Sequence, residues 1–454
     1  MPQRKKSVQK SDPTSAQILP PLNTDVISSI CPWLPLPDVK NCRLVSRTWN
    51  VAAKPILQKK SIIRLNCDFD KKEIARNAKF QREMASFGGP LHHVEIRMGD
   101  YKIRPVKNDP EFSVDDFKKR KVYLDDVHFF AKCLSMQKLG IRGYLEWAFI
   151  FEFIENVLLS CSSNLVEVGM DMRIQKNLGK NDFPPEFCDG KVFNTVKKLE
   201  LSFFAVNKEL GVVKVPQILA AFPNIVDLRV SGNLLPVLFP EGSVSPRFLS
   251  KLWAKEDMSG FKCTALLNLT QPLKHLHIER AFNPRGAKYG EGNDDVDVAP
   301  VLYEVLSKHC HTLEYLDLDL DKFSVWNLPN FPNLKRFNFI GDLYAVVTFE
   351  SEIINYSETF PNLESLGFTP WDGDWMPCYK SFFPSRATIC QSVTTLSISD
   401  EFEPDIFSEM FSQSESGGRI DARFGRILKL FSNADNLFMQ ELKRYLVKKR
   451  RIPK

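Results

Sequence analysis

The chain has 454 residues, 43% of them apolar, which is enough for a large core and for more than one domain. Its 61 basic and 55 acidic residues leave a formal net charge of +6, which is too small for this length to indicate a nucleic-acid partner. The ten cysteines include no C-x-x-C pair, so reduced thiols in a cytoplasmic or nuclear protein are favoured over a disulfide framework.

Both ends of the chain are basic. Residues 1–18 include "MPQRKKSVQK", which lacks the apolar centre of a signal peptide, and we expect them to form a disordered tail. The chain closes on "KKRRIPK", for which solvation is favoured over nuclear import or phosphate binding. The most apolar run, residues 147–160, is interrupted by Glu152 and Glu155 and is too short to cross a bilayer, so no membrane segment is expected.

Residues 19–60 predict three short helices. Asn23 or Thr24 can cap the first helix, and Pro32 is expected to end it. Pro37 and Asp38 suit the first turn of the second helix, since proline fits there and a carboxylate favours the positive end of the helix dipole.

The third helix of this segment is predicted to begin behind a cap at Ser46, and Pro55 is expected to end it at Lys54. A unit of about forty residues buries too little surface to be stable alone. We therefore expect its apolar face to need a partner.

A six-residue pattern, apolar-x-x-apolar-x-apolar, recurs through residues 91–400 at a spacing of about 29 residues. Helical segments precede most copies, so each unit is predicted to be a strand and a helix that stack on their neighbours around one parallel sheet. This predicts an α/β solenoid, with residues 240–262 and 281–299 as insertions. The copies begin at Leu91, Met136, Leu165, Val196, Ile225, Leu273, Leu313, Leu334, Leu363 and Val393.

Helices are expected to cover both ends of the solenoid. Residues 61–90 are predicted to form a linker helix that is also the N-terminal cap. Residues 401–454 contain amphipathic segments such as "RILKLF" and are predicted to form a C-terminal helical cap followed by the basic tail.

The repeat resembles the leucine-rich repeat, whose strand pattern is L-x-x-L-x-L. The triplet Phe-Pro-Asn that begins at Phe222, Phe331 and Phe360 strengthens this resemblance. The copies depart from the family three residues beyond the last apolar position, where only Asn233 matches the family's Asn or Cys. The resemblance implies a leucine-rich-repeat solenoid that binds another protein.

The segment "LPLPDVKNCRLVSRTWN", residues 34–50, resembles an F-box, with the family's Leu-Pro, acidic helix start, Arg-Leu-Val and Trp at matching spacing. It departs from the family at Asn23, where the family often has Pro, and at Pro32, where the family usually has a residue that fits a helix. The resemblance implies a Skp-family adaptor as partner, and through it cullin and RING subunits. The residues implied to pack in the module or against the adaptor are Leu22, Ile30, Leu34, Pro35, Leu44, Val45 and Trp49.

Two other interpretations of the helical segment remain. It could be a helical cap on the first repeat, with no partner of its own. It could also be a DNA-binding helix-turn-helix, but Arg43 and Arg47 are its main basic helical residues and no base-reading set stands out.

The target is predicted to bind the solenoid strands, where positions between the buried ones point outward onto the concave surface. The middle of the solenoid mixes an aromatic residue with charges, as binding hot spots often do. The predicted target-binding residues are Arg229, His277, Tyr315, Asp317 and Arg336.

No catalytic motif is found: the chain has no P-loop, no H-E-x-x-H and no G-x-S-x-G. His275 and His277, with His309 and His311 one repeat later, could supply metal ligands, but strand histidines are more often exposed contacts. We expect neither metal nor cofactor. The sequence predicts a non-catalytic substrate receptor of an SCF-type (Skp-cullin-F-box) ubiquitin ligase; the alternative is a repeat scaffold with no ubiquitin role.

Overall fold

The computed structural model describes residues 23–66, 92–98, 136–145, 148–174, 188, 190–205, 219–243, 245–256, 258–281, 297–320, 325–341, 346–350, 354–370, 381–384, 388–398, 425–435 and 440. The predicted basic tail, Leu22, the linker helix from residue 67 onward and the segment 401–424 lie outside these residues.

The N-terminal segment forms three helices: α1 (Thr24–Ile30), α2 (Leu36–Val45) and α3 (Arg47–Lys60), with a short 3-10 helix at Cys31–Trp33. The predicted caps are confirmed. The Asn23 side chain accepts a hydrogen bond from the backbone N–H of Asp25, and the Ser46 hydroxyl accepts one from the N–H of Trp49. We call α1 to α3 the helical module.

The core of the helical module is small. Its fully buried members are few, and the partly buried Leu34 and Trp49 pack against them. The helical module therefore has a much smaller core than the sheet. The buried members are Ile27, Cys31, Val39, Ala52 and Ala53.

The prediction that Pro55 ends the third helix is wrong, because α3 continues to Lys60. Proline removes one backbone hydrogen bond, but Ile56 and Leu57 beyond it pack against the module's core, and this burial outweighs the loss. The end of α3 is bonded to the 3-10 helix and the residue after it, because the Lys60 ammonium donates to the carbonyl oxygens of Pro32 and Leu34 at 2.6 and 2.7 Å.

The described part of the remaining chain contains a twelve-stranded sheet in which all neighbouring strands are parallel. Strands follow chain order across the sheet, as a stacked α/β repeat predicts, and all ten predicted copies are strands in it. They are β1 (Ile62–Asn66), β2 (His93–Met98), β3 (Lys138–Leu145), β4 (Glu167–Ile174), β5 (Lys198–Ala205), β6 (Asp227–Ser231), β7 (Lys251–Lys255), β8 (His275–Ala281), β9 (Tyr315–Leu320), β11 (Arg336–Gly341), β13 (Ser365–Pro370) and β14 (Thr395–Ile398).

Helices lie between the strands in sequence, and two short strands, β10 (Val325–Leu328) and β12 (Val346–Phe349), pair in parallel as a separate sheet. The helices are α4 (Ala148–Cys161), α5 (Leu235–Leu238), α6 (Gly260–Leu267), α7 (Val298–His309) and α8 (Tyr356–Thr359), with a 3-10 turn at Gly232–Leu234. Residues 425–430 are also helical, and Ile427 and Leu430 reach the core.

The Phe-Pro-Asn triplets join consecutive repeats in two ways. Their phenylalanines are fully buried, and the rings of Phe331 and Phe360 stack with centroids 5.9 Å apart. The asparagine side chain of each triplet donates to a backbone carbonyl of the preceding repeat, as from Asn333 to His311 at 2.6 Å and from Asn362 to Pro332 at 2.7 Å. These bonds pair backbone carbonyl groups in the connections between strands.

Two strands of the sheet were not predicted. The segment 240–262 is not a plain insertion, because it contains β7; its pattern is Leu249, Leu252 and Ala254, with alanine in place of a larger apolar residue. The sheet also begins before residue 91, since β1 pairs with β2. In the copy of the pattern that contains β1, the first apolar position is taken by Lys60, the last residue of α3, so the pattern did not reveal this strand.

Candidate functional site

The register of the sheet aligns outward-pointing residues in two rows, which together we call the open face. The buried partners of these rows, such as Leu228, Leu276 and Leu316, point the other way into the core. The first row is Ile62, His93, Lys138, Glu167, Lys198, Asp227, Lys251, His275, Tyr315, Arg336, Ser365 and Thr395. The second row is Arg64, Glu95, Gly140, Gly169, Glu200, Arg229, Trp253, His277, Asp317, Asn338, Gly367 and Ser397.

Ion pairs occupy the N-terminal part of the open face. Glu95 is contacted by Arg64 at 2.9 Å, by Arg97 at 3.3 Å and by Arg142 at 3.4 Å. Burial alone would raise the pKa of Glu95, but these guanidinium groups outweigh it and hold the pKa below its ordinary value. This carboxylate is therefore ionised and already occupied by partners.

The second row is continuous in the middle of the sheet. The Arg229 guanidinium lies 4.5 Å from the centroid of the Trp253 ring, and Trp253 stacks on His277 with centroids 4.6 Å apart. His277 Nδ1 is 3.5 Å from Asp317 Oδ2, an ion-pair distance that is too long for a good hydrogen bond. Asn338 donates to the other Asp317 oxygen at 2.5 Å.

The first row carries an aromatic pair beside this stack. His275 and Tyr315 stack with centroids 4.2 Å apart and an interplanar angle of 20°. Burial, and secondarily Lys251, lower the pKa of His275, so its ring is neutral at pH 7. Arg336 follows Tyr315 in the register.

The five predicted target-binding residues lie on one surface, on β6, β8, β9 and β11, with β7 between the first two of these strands. Arg229, His277 and Asp317 belong to the second row, and Tyr315 and Arg336 to the first. Sequence reasoning missed Trp253, the ring that joins Arg229 to His277, because β7 was assigned to an insertion. The signal that would have found it is the degenerate pattern Leu249-x-x-Leu252-x-Ala254.

Carboxylates gather where the middle strands end. Glu256 follows β7 with a positive φ of 70°, and its carboxylate accepts a hydrogen bond from the Ser231 hydroxyl at 2.9 Å. Its backbone N–H donates to Glu279 at 3.3 Å. Burial raises the pKa of Glu256 and raises the pKa of Asp319 to about 6. These groups lie about 13 Å along the strands from the first row.

The helical module exposes large apolar side chains on α1, on α2 and in the 3-10 turn between them. Leu44 is 85% exposed, Val45 is 67% exposed, and Ile30 is partly exposed. The implied adaptor residues divide into two groups: Pro35 joins this exposed set, whereas Leu34 and Trp49 pack against the module's core. Trp33 is 86% exposed and was not among the implied residues.

The four histidines considered as metal ligands do not act together. His275 and His277 lie on the open face, whereas His309 is buried in α7 and accepts a hydrogen bond at Nδ1 from the Leu273 N–H. In the described part of the chain, no group of three or more His, Cys, Asp or Glu side chains could hold a metal ion.

No protein-family model matches this chain, and no curated protein sequence matches it. Among the described residues, no helix combines the length and the apolar character needed to span a membrane. The parallel sheet with its intervening helices defines an α/β, solenoid-like protein.

Proposed function

We propose that this chain is the substrate-recognition subunit of an SCF-type ubiquitin ligase, in which the helical module binds a Skp-family adaptor and the open face binds a target protein. The observation that carries the proposal is the exposed apolar surface of a helical module whose own core has only five fully buried side chains. An exposed Leu, Val and Trp together on one small unit are typical of an interaction site.

The energetics favour a bound partner for this surface. Burying a leucine or valine side chain that is otherwise exposed contributes about 1.5–3 kcal/mol, and an aromatic residue contributes more through its larger area. Leu44 and Val45 are adjacent at the end of α2, so one partner surface can cover both. The F-box likeness of residues 34–50 is the reason to assign that partner to the Skp family.

The mechanism that this assignment implies is proximity. The subunit has no catalytic step of its own; it holds the target while cullin and RING subunits bring a charged ubiquitin carrier close to the target's lysines. Tethering both partners raises the effective concentration of lysine near the carrier and supplies the rate enhancement. The alternative, a scaffold with no ubiquitin role, leaves the helical module as a cap.

The test is the substitution Leu44→Asp in the full chain, followed by copurification with a Skp-family adaptor in excess. Because Leu44 is exposed, the free energy of urea unfolding should stay within about 0.5 kcal/mol of wild type. Adaptor binding should weaken by tenfold or more, since about 1.5–3 kcal/mol of apolar burial is lost. Leu44 is a cleaner probe than Trp49, whose packing in the module mixes folding with binding.

Leu159→Asp is the matched control, because Leu159 is an exposed leucine on α4, away from the helical module. It should leave adaptor binding unchanged. If well-expressed wild-type chain forms no complex with excess adaptor in gel filtration or calorimetry, the ubiquitin-ligase proposal fails and the scaffold takes its place.

A further inference from the structure

The centre of the first row combines an aromatic pair with a cation on each side. Lys251, His275, Tyr315 and Arg336 occupy the same register position on four neighbouring strands. The stacked rings of His275 and Tyr315 form a neutral platform, and Tyr315 is more than one-third exposed. Lys251 and Arg336 border this platform on opposite sides.

These two cations have no carboxylate partner at ion-pair distance among the residues that the structure describes. The neighbouring lysines differ: Lys274 and Lys335 both pair with Glu314, at 3.0 and 3.1 Å, and so neutralise it. Lys251 and Arg336 therefore remain available to an anionic ligand.

The carboxylates closest in register do not compete strongly for these cations. Asp227 precedes Lys251 in the first row, but its carboxylate is directed to Arg229, whose Nε lies 3.8 Å away. The second row, beside the first on the same face, is held by its own contacts from Arg229 to Asn338. The first row thus presents its cations and rings next to side chains that are already ordered, which lowers the cost of ordering a ligand.

The spacing of the two cations fits an extended peptide. Four neighbouring strands span three intervals of about 4.8 Å, so the backbones at Lys251 and Arg336 are about 14 Å apart. In an extended chain, residues i and i+4 are about 13 Å apart, and residues i, i+2 and i+4 point to the same side. One face of a five-residue segment can therefore reach both cations and the platform between them.

We propose that the first row binds an extended target segment with acidic side chains at positions i and i+4 and an aromatic side chain at i+2. The acidic side chains pair with Lys251 and Arg336, and the aromatic side chain packs on Tyr315 and His275. This inference deepens the proposed function, on which it rests for the existence of a protein target. It assigns the chemistry of the recognised segment.

A protein segment fits this surface better than a nucleic acid does. Asp227 precedes Lys251 in the first row and would repel a continuous phosphate backbone, whereas a peptide can place its acidic groups at the two cations alone. A basic peptide would instead favour the carboxylates of Glu256 and Glu279 at the far ends of the strands.

The experiment measures fluorescence anisotropy of labelled synthetic peptides titrated with the full chain. The probe contains Asp-Ser-Tyr-Ser-Asp, its charge-reversed control contains Lys-Ser-Tyr-Ser-Lys, and a spacing control contains Asp-Tyr-Asp. Wild-type protein should bind the first at least about tenfold more tightly than either control, as expected for two charge-assisted contacts.

The charge-reversal variant Lys251→Glu with Arg336→Glu should invert this preference and bind the lysine peptide more tightly. Because the variant gains binding, misfolding cannot imitate the result. Tyr315→Ala should weaken the aspartate peptide several-fold, and Lys429→Glu, at an exposed lysine in the C-terminal helical segment, should change nothing. Raising salt should weaken the aspartate peptide.

The inference is overturned if wild type shows no preference, if it prefers the lysine peptide, or if the aspartate preference survives in the charge-reversal variant. Adaptor copurification of the same proteins separates this site from the proposed function. Loss of peptide preference with an intact adaptor complex refutes the site alone. Peptide preference without any adaptor complex refutes the ligase role and supports the site.

Discussion

Two buried ionisable side chains should give the stability of this protein opposite dependences on pH. His309 is 2% exposed, and burial, with Lys308 as a secondary cause, lowers its pKa from 6.5 to about 4. Asp319 is 7% exposed, and burial raises its pKa from 3.8 to about 6 despite the nearby Arg280. In each case the folded state disfavours the charged form.

The sign follows from which state binds more protons. Between pH 6.5 and pH 4 the unfolded chain protonates His309 while the folded chain does not, so the histidine costs stability as pH falls. Between pH 6 and pH 3.8 the folded chain protonates Asp319 and the unfolded chain does not, so the aspartate adds stability as pH falls. When the pH is lowered from 7 to 5, His309 lowers the free energy of unfolding by about 2 kcal/mol and Asp319 raises it by about 1 kcal/mol.

The assay is urea unfolding of wild type, His309→Gln and Asp319→Asn at pH 7 and pH 5. We compare the free energy of unfolding of each variant with that of wild type at both pH values. From pH 7 to pH 5 this difference should shift by about 2 kcal/mol in favour of His309→Gln and by about 1 kcal/mol against Asp319→Asn. Surface carboxylates change little over this range and cancel in the comparison. The same pH dependence in all three proteins would refute the burial argument.

Two further substitutions test the repeats and the open face. Asn333→Ala removes the hydrogen bond to the exposed His311 carbonyl and should lower the free energy of urea unfolding by about 0.5–1.5 kcal/mol, the net contribution of a typical hydrogen bond; a change under about 0.3 kcal/mol would contradict this role. Gly367→Ala places a Cβ 2.5 Å from Asn338 Oδ1, so we expect Asn338 to leave Asp317, with a cost of about 1 kcal/mol in unfolding. Unchanged stability and an unshifted Asn338 side-chain amide signal in NMR would count against that contact.

The architecture could be predicted from the sequence because the repeat is redundant. Each copy has three apolar positions, and about 29 residues is the commonest spacing between copies, so ten degenerate copies together indicate one parallel sheet. The caps at Asn23 and Ser46 were also predictable, since capping depends on a local side chain. These features depend on residues that are close in sequence.

The features that escaped prediction depend on tertiary context. Pro55 predicts the end of a helix, but α3 continues to Lys60 because Ile56 and Leu57 pack on the module's core. β7 was not predicted because Ala254, at the third apolar position of its pattern, has a low strand propensity. In the structure Ala254 is fully buried and pairs with Ile278 in the register. In both cases burial overrides a local propensity.

The missed strand changes the chemistry of the open face as well as its length. Without β7, β6 and β8 would be neighbours and Arg229 would lie about 4.8 Å from His277, where its charge would act directly on the imidazole. With β7 in place that separation doubles, and the Trp253 ring occupies the gap and contacts both residues. Arg229 is therefore a residue that positions Trp253, and His277 is left to interact with Asp317. Each strand contributes one residue to each row of this surface, so a missed strand removes a residue from the prediction. The five predicted residues do lie on one surface, but Trp253, which lies between Arg229 and His277, was missed together with β7.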